Sequence, residues 1–175
     1  MKDYKKEGKI KGSLKIEGNL ILTGDLEVEQ EIEVAGYIDC KGYWIEAGGS
    51  IEAGYSIKAG RWIKAGGSIE SGGWIEAGDW IKAGYSIEAG ESILSQLWIT
   101  CGTTLSAGIY IYAGIKTWGE RAEEEMLIEC GKLSSGEIEF GNLVETRIGK
   151  PEEMIELDGK KYSKSTLKEA LKAYV

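Results

Sequence analysis

The chain has 175 residues, among them 26 glycines, one proline, one phenylalanine and no histidine, and its formal net charge is −8. The 42% apolar fraction, six tryptophans and nine tyrosines exclude a disordered chain, and the scarcity of proline excludes a collagen. Because histidine is the commonest general base and metal ligand, we expect no enzyme, no cofactor and no metal site. The length fits one main domain and a small appendage.

Charge is distributed unevenly along the chain. Residues 1–19 carry six lysines against three acids, whereas residues 20–43 carry one lysine against six acids. Residues 44–119 are nearly neutral, and residues 120–149 carry three bases against eight acids. No signal peptide with an apolar stretch of roughly 7–15 residues is recognisable, and no apolar run approaches the roughly 18 residues of a membrane span. We therefore expect a cytoplasmic protein with two acidic zones.

A loose six-residue repeat begins at Leu14. Apolar residues occupy its first and third positions and glycine its fifth, as in Leu14-x-Ile16-x-Gly18. One extra residue near Tyr43 shifts the phase. The outward positions of this segment contain five acids, which are Asp25, Glu27, Glu29, Glu31 and Glu33.

The repeat becomes regular after Trp44. Units of the form I-[EK]-A-G-x-[SW] follow one another, and their first position is apolar throughout, at Ile45, Ile51, Ile57, Ile63, Ile69, Ile75, Ile81, Ile87, Ile93, Ile99, Leu105 and Ile111. Because residues i and i+2 of a strand share a face, Ile and Ala should point inward and the charged residue between them outward. Glycine should then end the strand at a corner. Strands this short cannot bury their faces alone, so the units over 14–119 predict a stacked β-solenoid.

The residue before each isoleucine indicates how many strands form one coil. Taken at every third unit, these residues fall into three columns, which are Trp44/Trp62/Trp80/Trp98, Ser50/Ser68/Ser86/Thr104 and Ser56/Trp74/Ser92/Tyr110. Stacking of like residues at about 4.7–4.9 Å favours a three-stranded coil of 18 residues. We therefore predict an all-β, triangular parallel β-solenoid of about six to seven coils.

The solenoid domain is expected to extend over residues 1–150 and to end in an irregular acidic coil, 120–150. The hexads fail at residues 120–125, which include Glu123, Glu124 and Glu125, and apolar alternation returns near Ile128. The three cysteines occupy the small inward position of their units, at Cys40, Cys101 and Cys130. An odd number of such residues in a cytoplasmic chain predicts buried structural thiols rather than disulfides.

Residues 151–175 predict a small ββα appendage. Pro151 marks its start, and Asp158-Gly159 is a strong hairpin-turn dipeptide between two strand-like segments. Ser163 can cap a helix whose apolar side chains share one face. This appendage either caps the solenoid end or docks a partner.

The hexads resemble those of parallel β-helix repeat proteins. The loose units are similar to bactofilins, which are bacterial polymer-forming β-helices, and the I-[EK]-A-G-x-[SW] units most closely resemble repeat proteins of Gram-positive bacteria and their phages, among them anti-CRISPR inhibitors. Hexapeptide acyltransferases and gamma-class carbonic anhydrases share the triangular coil, but their chemistry depends on histidine. They also place the large aliphatic residue directly before the corner, where this chain has Ala47, Ala53 and Ala59. The resemblance implies an architecture and a non-catalytic role.

An acidic rod without catalytic groups predicts a binding protein. Phosphate contacts need Lys and Arg, so direct nucleic-acid binding is disfavoured, whereas carboxylates suit a basic channel built for DNA or RNA. The leading hypothesis, which also uses the resemblance, is an anti-CRISPR-like inhibitor that binds a host nucleic-acid-binding enzyme such as a CRISPR effector by nucleic-acid mimicry. The candidate contacts are Glu27, Glu29, Glu31, Glu33, Glu52, Glu70, Glu88, Glu123, Glu124, Glu125, Trp44, Trp62, Trp80 and Trp98.

Five other interpretations stay open. The chain can be a self-assembling, bactofilin-like scaffold that polymerises through exposed strand edges. The Trp column can be a homo-oligomer interface, or a ladder that only stiffens the solenoid. It can also bind carbohydrate with the help of Glu46, Lys64 and Lys82. Finally, the acidic surface can serve solubility alone.

Overall fold

The protein is an all-β parallel β-solenoid of about seven turns. The computed structural model describes residues 1–115 and 126–146 in full, and the backbone of two further strands, 154–157 and 160–163. Within these ranges, 19 strands belong to the solenoid. They are β1 (Asp3–Ile10), β2 (Leu14–Ile16), β3 (Asn19–Val28), β4 (Ile32–Val34), β5 (Ile38–Asp39), β6 (Ile45–Ala47), β7 (Ile51–Ala53), β8 (Ile57–Ala59), β9 (Ile63–Ala65), β10 (Ile69–Ser71), β11 (Ile75–Ala77), β12 (Ile81–Ala83), β13 (Ile87–Ala89), β14 (Ile93–Ser95), β15 (Ile99–Cys101), β16 (Thr104–Ala113), β17 (Leu127–Cys130), β18 (Lys132–Phe140) and β19 (Asn142–Glu145).

The coils stack in the register that the repeat predicts. From β4 to β12, each strand pairs in parallel with the strand three places later. Ile69, for example, lies between Ile51 and Ile87, so one coil contains 18 residues. The predicted parallel β-solenoid with three strands per coil is confirmed.

The three strands of each coil define three faces. Face 1 contains β5, β8, β11 and β14, face 2 contains β6, β9, β12, β15, β17 and β19, and face 3 contains β2, β4, β7, β10 and β13. Four longer strands turn a corner and contribute to two faces each: β1 and β3 to faces 1 and 2, and β16 and β18 to faces 3 and 1. Residues stacked in one column therefore belong to successive coils.

The core consists of the predicted columns of isoleucine and alanine. The isoleucines of the regular hexads are 0% exposed, and the alanines that follow two positions later are 0–3% exposed. Ser71 and Ser95 occupy the alanine position and are also buried. The hydroxyl of Ser95 donates to the carbonyl oxygen of Asp79 at 2.7 Å, so the polar atom is satisfied by the backbone of the preceding coil.

The corner glycines are required for space rather than for an unusual backbone angle. Among the described glycines, positive φ angles occur at Gly8, Gly12, Gly114, Gly136 and Gly141, and of these Gly114 alone belongs to a regular unit, the last one. In the regular hexads, a Cβ atom on a corner glycine would overlap a backbone carbonyl of the coil below, as the Cβ of a residue replacing Gly66 would overlap the oxygen of Gly48. The predicted strand end at the corner glycine is confirmed, and close stacking of the coils is what favours a residue without a side chain there.

The predicted phase shift near Tyr43 is confirmed as one residue inserted into one coil. Leu20 pairs with Ile38, 18 residues later, whereas Ile38 pairs with Ile57, 19 residues later. The extra residue is absorbed in a turn in which the amide of Tyr43 donates to the carbonyl of Cys40 at 2.7 Å. Lys41 in this turn has a φ of 46°, the one positive value of a non-glycine residue in the described segments.

The solenoid begins earlier than the regular pattern indicates. Strand β1 is charged and mostly exposed, yet it pairs with β3 over faces 1 and 2 and covers Leu20 and Leu22, which are 0% exposed. Its sequence lacks apolar alternation because it is an edge strand with one neighbour. Lysines at Lys5, Lys6 and Lys9 line this edge, a feature that discourages pairing with another sheet.

The C-terminal segment is described in part. Strands β20 (Met154–Leu157) and β21 (Lys160–Ser163) pair antiparallel, as the Asp158-Gly159 hairpin predicts. The predicted helix after Ser163 lies outside the described residues, and the domain boundary at residue 150 stays a prediction. None of the described segments forms a helix of the length and apolarity that crossing a bilayer requires.

Candidate functional site

The four tryptophans before β6, β9, β12 and β15 form a continuous stack, here called the Trp ladder (Trp44, Trp62, Trp80 and Trp98). Their ring centroids are 4.5, 4.9 and 4.8 Å apart, and the ring planes differ by 3–7°. The in-register pairing of Ile45, Ile63, Ile81 and Ile99 fixes this spacing. All four rings are half-buried, because each covers the faces of its neighbours. The ladder is thus a structural stack whose ring edges face the solvent.

Replacing Trp80 by Ser should destabilise the solenoid. The substitution removes two stacking contacts, each worth roughly 0.5–1.5 kcal/mol beyond burial, so we expect the free energy of unfolding to fall by about 1–3 kcal/mol. Trp74→Ser is the control, since Trp74 is 43% exposed and has no stacked ring among the described residues. Thermal denaturation compares the two variants. Equal losses of stability would contradict a stabilising role of the ladder. Separately, light scattering on the double variant Trp62→Ser/Trp80→Ser measures whether the oligomeric mass falls, as it should if the Trp ladder forms an oligomer interface.

The first predicted acidic zone wraps around a corner instead of forming one patch. Glu27 lies on face 2, Glu29 and Glu31 lie in the turn between β3 and β4, and Glu33 lies on face 3. Lysines of the coil below partner two of them: Lys9 Nζ is 2.7 Å from Glu27, and Lys15 Nζ is 2.6 Å from Glu33. The hydrogen bond and charge of Glu27 raise the pKa of Lys9 above its usual value. The basic and acidic zones of the sequence thus partly neutralise each other.

Face 3 carries an unpaired column of carboxylates, here called the acidic ladder (Glu52, Glu70 and Glu88). These residues pair in register on β7, β10 and β13, so they stand about 4.7–4.9 Å apart. All three are exposed, and none makes an ion pair within the part of the chain that the structure describes. Beneath them Glu33, which pairs with Glu52 in the sheet, is bound to Lys15. The acidic ladder is therefore a single-sign array on a rigid sheet.

The other two faces have mixed charge. On face 1, Lys58 Nζ lies 3.0 Å from Glu76 on the next coil. On face 2, Lys64 Nζ lies 2.7 Å from Glu46.

A groove of about 370 Å³ on face 3 follows the acidic ladder and is lined by its three carboxylates together with Ala53, Gly54, Ser71, Gly72 and Gly90. A cationic partner would therefore meet three adjacent carboxylates on face 3 that no described lysine or arginine neutralises.

The remaining predicted contacts are distributed as follows. Glu123, Glu124 and Glu125 lie outside the described residues, so their role stays a prediction. The carbohydrate interpretation uses Glu46, Lys64 and Lys82 beside the Trp ladder. In the structure Glu46 and Lys64 form an ion pair with each other, and Lys82 pairs in register with Lys64 in the sheet. These polar groups flank ring edges rather than open ring faces, since the faces are occupied by neighbouring rings. Sugar stacking on this column is correspondingly less favoured.

A second aromatic feature was not identified from the sequence. Tyr37, Tyr55 and Trp74 are 37%, 58% and 43% exposed and surround Ser56 in a cleft of about 470 Å³, whose other lining residues are Ile38, Asp39 and Lys58. Ser56 and Trp74 belong to the mixed third column, and Tyr37 holds the same position one coil earlier. Tyr55 directly precedes Ser56 in the chain. Ring and serine alternate along this column in the sequence, whereas the Trp column and the Ser column are uniform.

The three cysteines are free and buried, as predicted. Burial raises the pKa of the Cys101 thiol to about 12 and also raises the pKa of Cys40 and Cys130. The thiols therefore stay protonated near neutral pH and cannot act as nucleophiles. The described residues contain no group of three or more His, Cys, Asp or Glu that could hold a metal ion.

These pKa shifts predict that the native cysteines resist alkylation. An ordinary thiol has a pKa near 8.5, so at pH 8 the thiolate fraction of Cys101 should be lower by about three orders of magnitude. Iodoacetamide at pH 8 should label none of the three cysteines in the native protein and all of them in guanidinium chloride. Mass spectrometry counts the adducts, and rapid native labelling of Cys101 would contradict the buried placement.

No protein-family model, curated protein or solved structure matches this chain. The stacking of its strands defines the chain as a parallel β-solenoid repeat protein with about 18 residues per turn. The exposed features of the described residues include the acidic ladder, the edges of the Trp ladder and the cleft around Ser56.

Proposed function

We propose that this protein is a non-catalytic cytoplasmic inhibitor that binds a host nucleic-acid-binding protein, such as a CRISPR effector, in the manner of anti-CRISPR proteins. The acidic ladder on face 3 supports this proposal most strongly. Its carboxylates form a line with one negative charge per about 4.8 Å, compared with one per 3.4 Å along a single strand of DNA. A channel built for a phosphate backbone is electrostatically complementary to such a line.

The rigidity of the solenoid makes the ladder an effective mimic. Glu52, Glu70 and Glu88 are anchored by strands whose inward residues are buried on either side of each glutamate. Their backbone is fixed before binding, so association need not order a flexible segment. Because like charges directly opposite each other destabilise a sheet, this column is unfavourable for folding alone. A lysine at one of these positions would relieve the repulsion between the glutamates, as lysine does on face 2. Because the column keeps three carboxylates instead, a binding role accounts for it best.

The exposed chemistry also favours binding over catalysis. The chain contains no histidine, and the thiols of the described residues are buried and protonated. Among the surfaces described, the groups without an internal partner that a protein can contact include carboxylates and exposed aromatic rings. Both are typical of protein interfaces with a basic partner.

The experiment is a binding and cleavage test on purified CRISPR effector complexes. Immobilised wild-type protein should retain at least one effector and inhibit its cleavage of target DNA at molar excess. Glu52→Gln/Glu70→Gln/Glu88→Gln should lose both effects while keeping the circular dichroism spectrum of the wild type. Failure to retain any effector, with cleavage unaffected throughout the panel, would overturn the proposal.

Self-assembly, as in bactofilins, is the alternative. It requires an open edge, but the lysines of β1 disfavour strand addition at the N-terminal edge. Negative-stain imaging distinguishes the two, since the inhibitor should form discrete particles and the scaffold filaments.

A further inference from the structure

The cleft around Ser56 results from a missing ring in an aromatic column. Tyr37, Ser56 and Trp74 directly precede Ile38, Ile57 and Ile75, which pair in register on three successive coils. Rings therefore stand on the first and third coils, and a serine stands between them. Ser56 is 8% exposed and forms the floor, while Tyr55 lies beside it on the same coil.

The spacing of the coils fixes the thickness of a guest. Tyr37 and Trp74 belong to positions two coils apart, which is about 9.4–9.8 Å. In the Trp ladder, rings on adjacent coils stack at 4.5–4.9 Å. A planar group above Ser56 would lie at this same spacing from both rings. The cleft thus has room for one planar π group between two aromatic walls.

The polar residues of the cleft favour a cation. Asp39 makes no ion pair within the described ranges, and one of its carboxylate oxygens accepts the amide of Lys41 at 2.8 Å. Lys58 is its neighbour in the sheet but directs its ammonium group to Glu76 instead, at 3.0 Å. The cleft therefore combines three aromatic side chains with a carboxylate that has no cationic partner among the described residues. The net charge of −8 attracts positively charged partners to the surface as a whole.

We propose that this cleft, lined by Tyr37, Tyr55, Ser56, Trp74 and Asp39, is an anchor pocket for an arginine side chain of a protein partner. A guanidinium is planar, stacks on aromatic faces and offers a donor fork to a carboxylate. The ammonium of lysine is compact and strongly hydrated, so it cannot fill a flat slot in the same way. Arginine is also enriched among the residues that dominate interface energies. The inference rests on the proposed basic partner and identifies the side chain that the solenoid recognises.

The probes are two capped peptides of equal charge, acetyl-Arg-Arg-Arg-amide and acetyl-Lys-Lys-Lys-amide, titrated into the full chain by calorimetry. Both experience the same net charge of the protein, so their difference reports on guanidinium recognition. We expect the arginine peptide to bind at least about 10-fold more tightly than the lysine peptide. Asp39→Asn, whose amide oxygen can still accept the Lys41 amide, should reduce this preference several-fold.

Ser56→Trp supplies the missing ring from within the chain. It should abolish the preference for the arginine peptide without lowering the melting temperature, since the new ring stacks between Tyr37 and Trp74. Ser86→Trp is the matched control, because its column consists of Ser and Thr and contains no ring. That variant should keep the preference of the wild type. Should Ser56→Trp fail to fold, the Asp39→Asn titration alone decides the outcome.

Three outcomes would overturn the inference. Equal binding of the two peptides would indicate general charge attraction only. Tighter binding of neutral acetyl-tryptophan-amide would indicate an aromatic guest, and self-association of the wild type that Ser56→Trp abolishes would indicate a second copy of the chain in the cleft. The titration contains no host enzyme, so its result is independent of whether a CRISPR effector binds. A positive titration with a negative effector panel would retain the pocket and reject the proposed function.

Discussion

Gly66→Ala is expected to destabilise the protein severely. A Cβ atom at this corner would overlap the carbonyl oxygen of Gly48, so the two coils must separate or the strand must shift. Overpacking of this kind costs typically 1–3 kcal/mol and occasionally more, and we expect about 3 kcal/mol because backbone cannot move aside as a side chain can. For a chain of this length, the melting temperature should fall by about 10 °C.

Gly42→Ala is the matched control for this substitution. Gly42 also follows a strand of the solenoid, but a Cβ atom there would meet nothing within 4 Å. The free energy of unfolding of the Gly42→Ala variant should therefore stay within about 0.5 kcal/mol of the wild-type value, as for most surface substitutions. If the two variants melted together, the account of the corner glycines as contact points between coils would be wrong.

Reversal of the acidic ladder to Glu52→Lys/Glu70→Lys/Glu88→Lys is expected to weaken partner binding by at least about 100-fold. Close charge pairs at a desolvated interface couple by roughly 1.5–7 kcal/mol, so loss of even two such pairs gives this factor. The wild-type affinity should also fall with added salt, because exposed charges are screened over about 8 Å at physiological ionic strength. Surface plasmon resonance over a range of salt concentrations measures both effects.

The control for this reversal keeps the change in net charge the same. Glu7→Lys/Glu17→Lys/Glu139→Lys alters three exposed acids that are scattered over the solenoid. We expect it to reduce the association rate moderately and the salt dependence slightly, while leaving the complex intact. If both triple variants bound equally weakly, net charge rather than the acidic ladder would be responsible.

The periodicity of the sequence was sufficient to predict the fold. The 18-residue recurrence of tryptophan fixed which strands are neighbours, and the Ile and Ala positions fixed which side chains are buried. The inserted residue near Tyr43 was equally visible because it breaks an otherwise constant phase. Strand β1 was not predicted, since an edge strand with one neighbour needs no apolar alternation.

The charged surface was harder to predict. A linear count treats residues 1–19 and 20–43 as separate zones, but residues one coil apart are neighbours in space, so Lys9 and Lys15 pair with Glu27 and Glu33. Glu52, Glu70 and Glu88 were predicted as partner contacts, although their stacking into a column without a cationic partner among the described residues became evident only from the structure. The cleft around Ser56 follows from the alternation of ring and serine in the third column, but which rings stay exposed is evident only from the structure.

Competition with nucleic acid is the most direct test of the central claim, that the solenoid occupies a nucleic-acid channel. An effector that binds the protein is loaded with target DNA before the protein is added, or afterwards, and the complexes are separated by size-exclusion chromatography. The account predicts mutually exclusive binding: protein added first prevents DNA loading, and loaded DNA blocks the protein. A stable complex containing effector, DNA and the solenoid together, with both affinities unchanged, would contradict it.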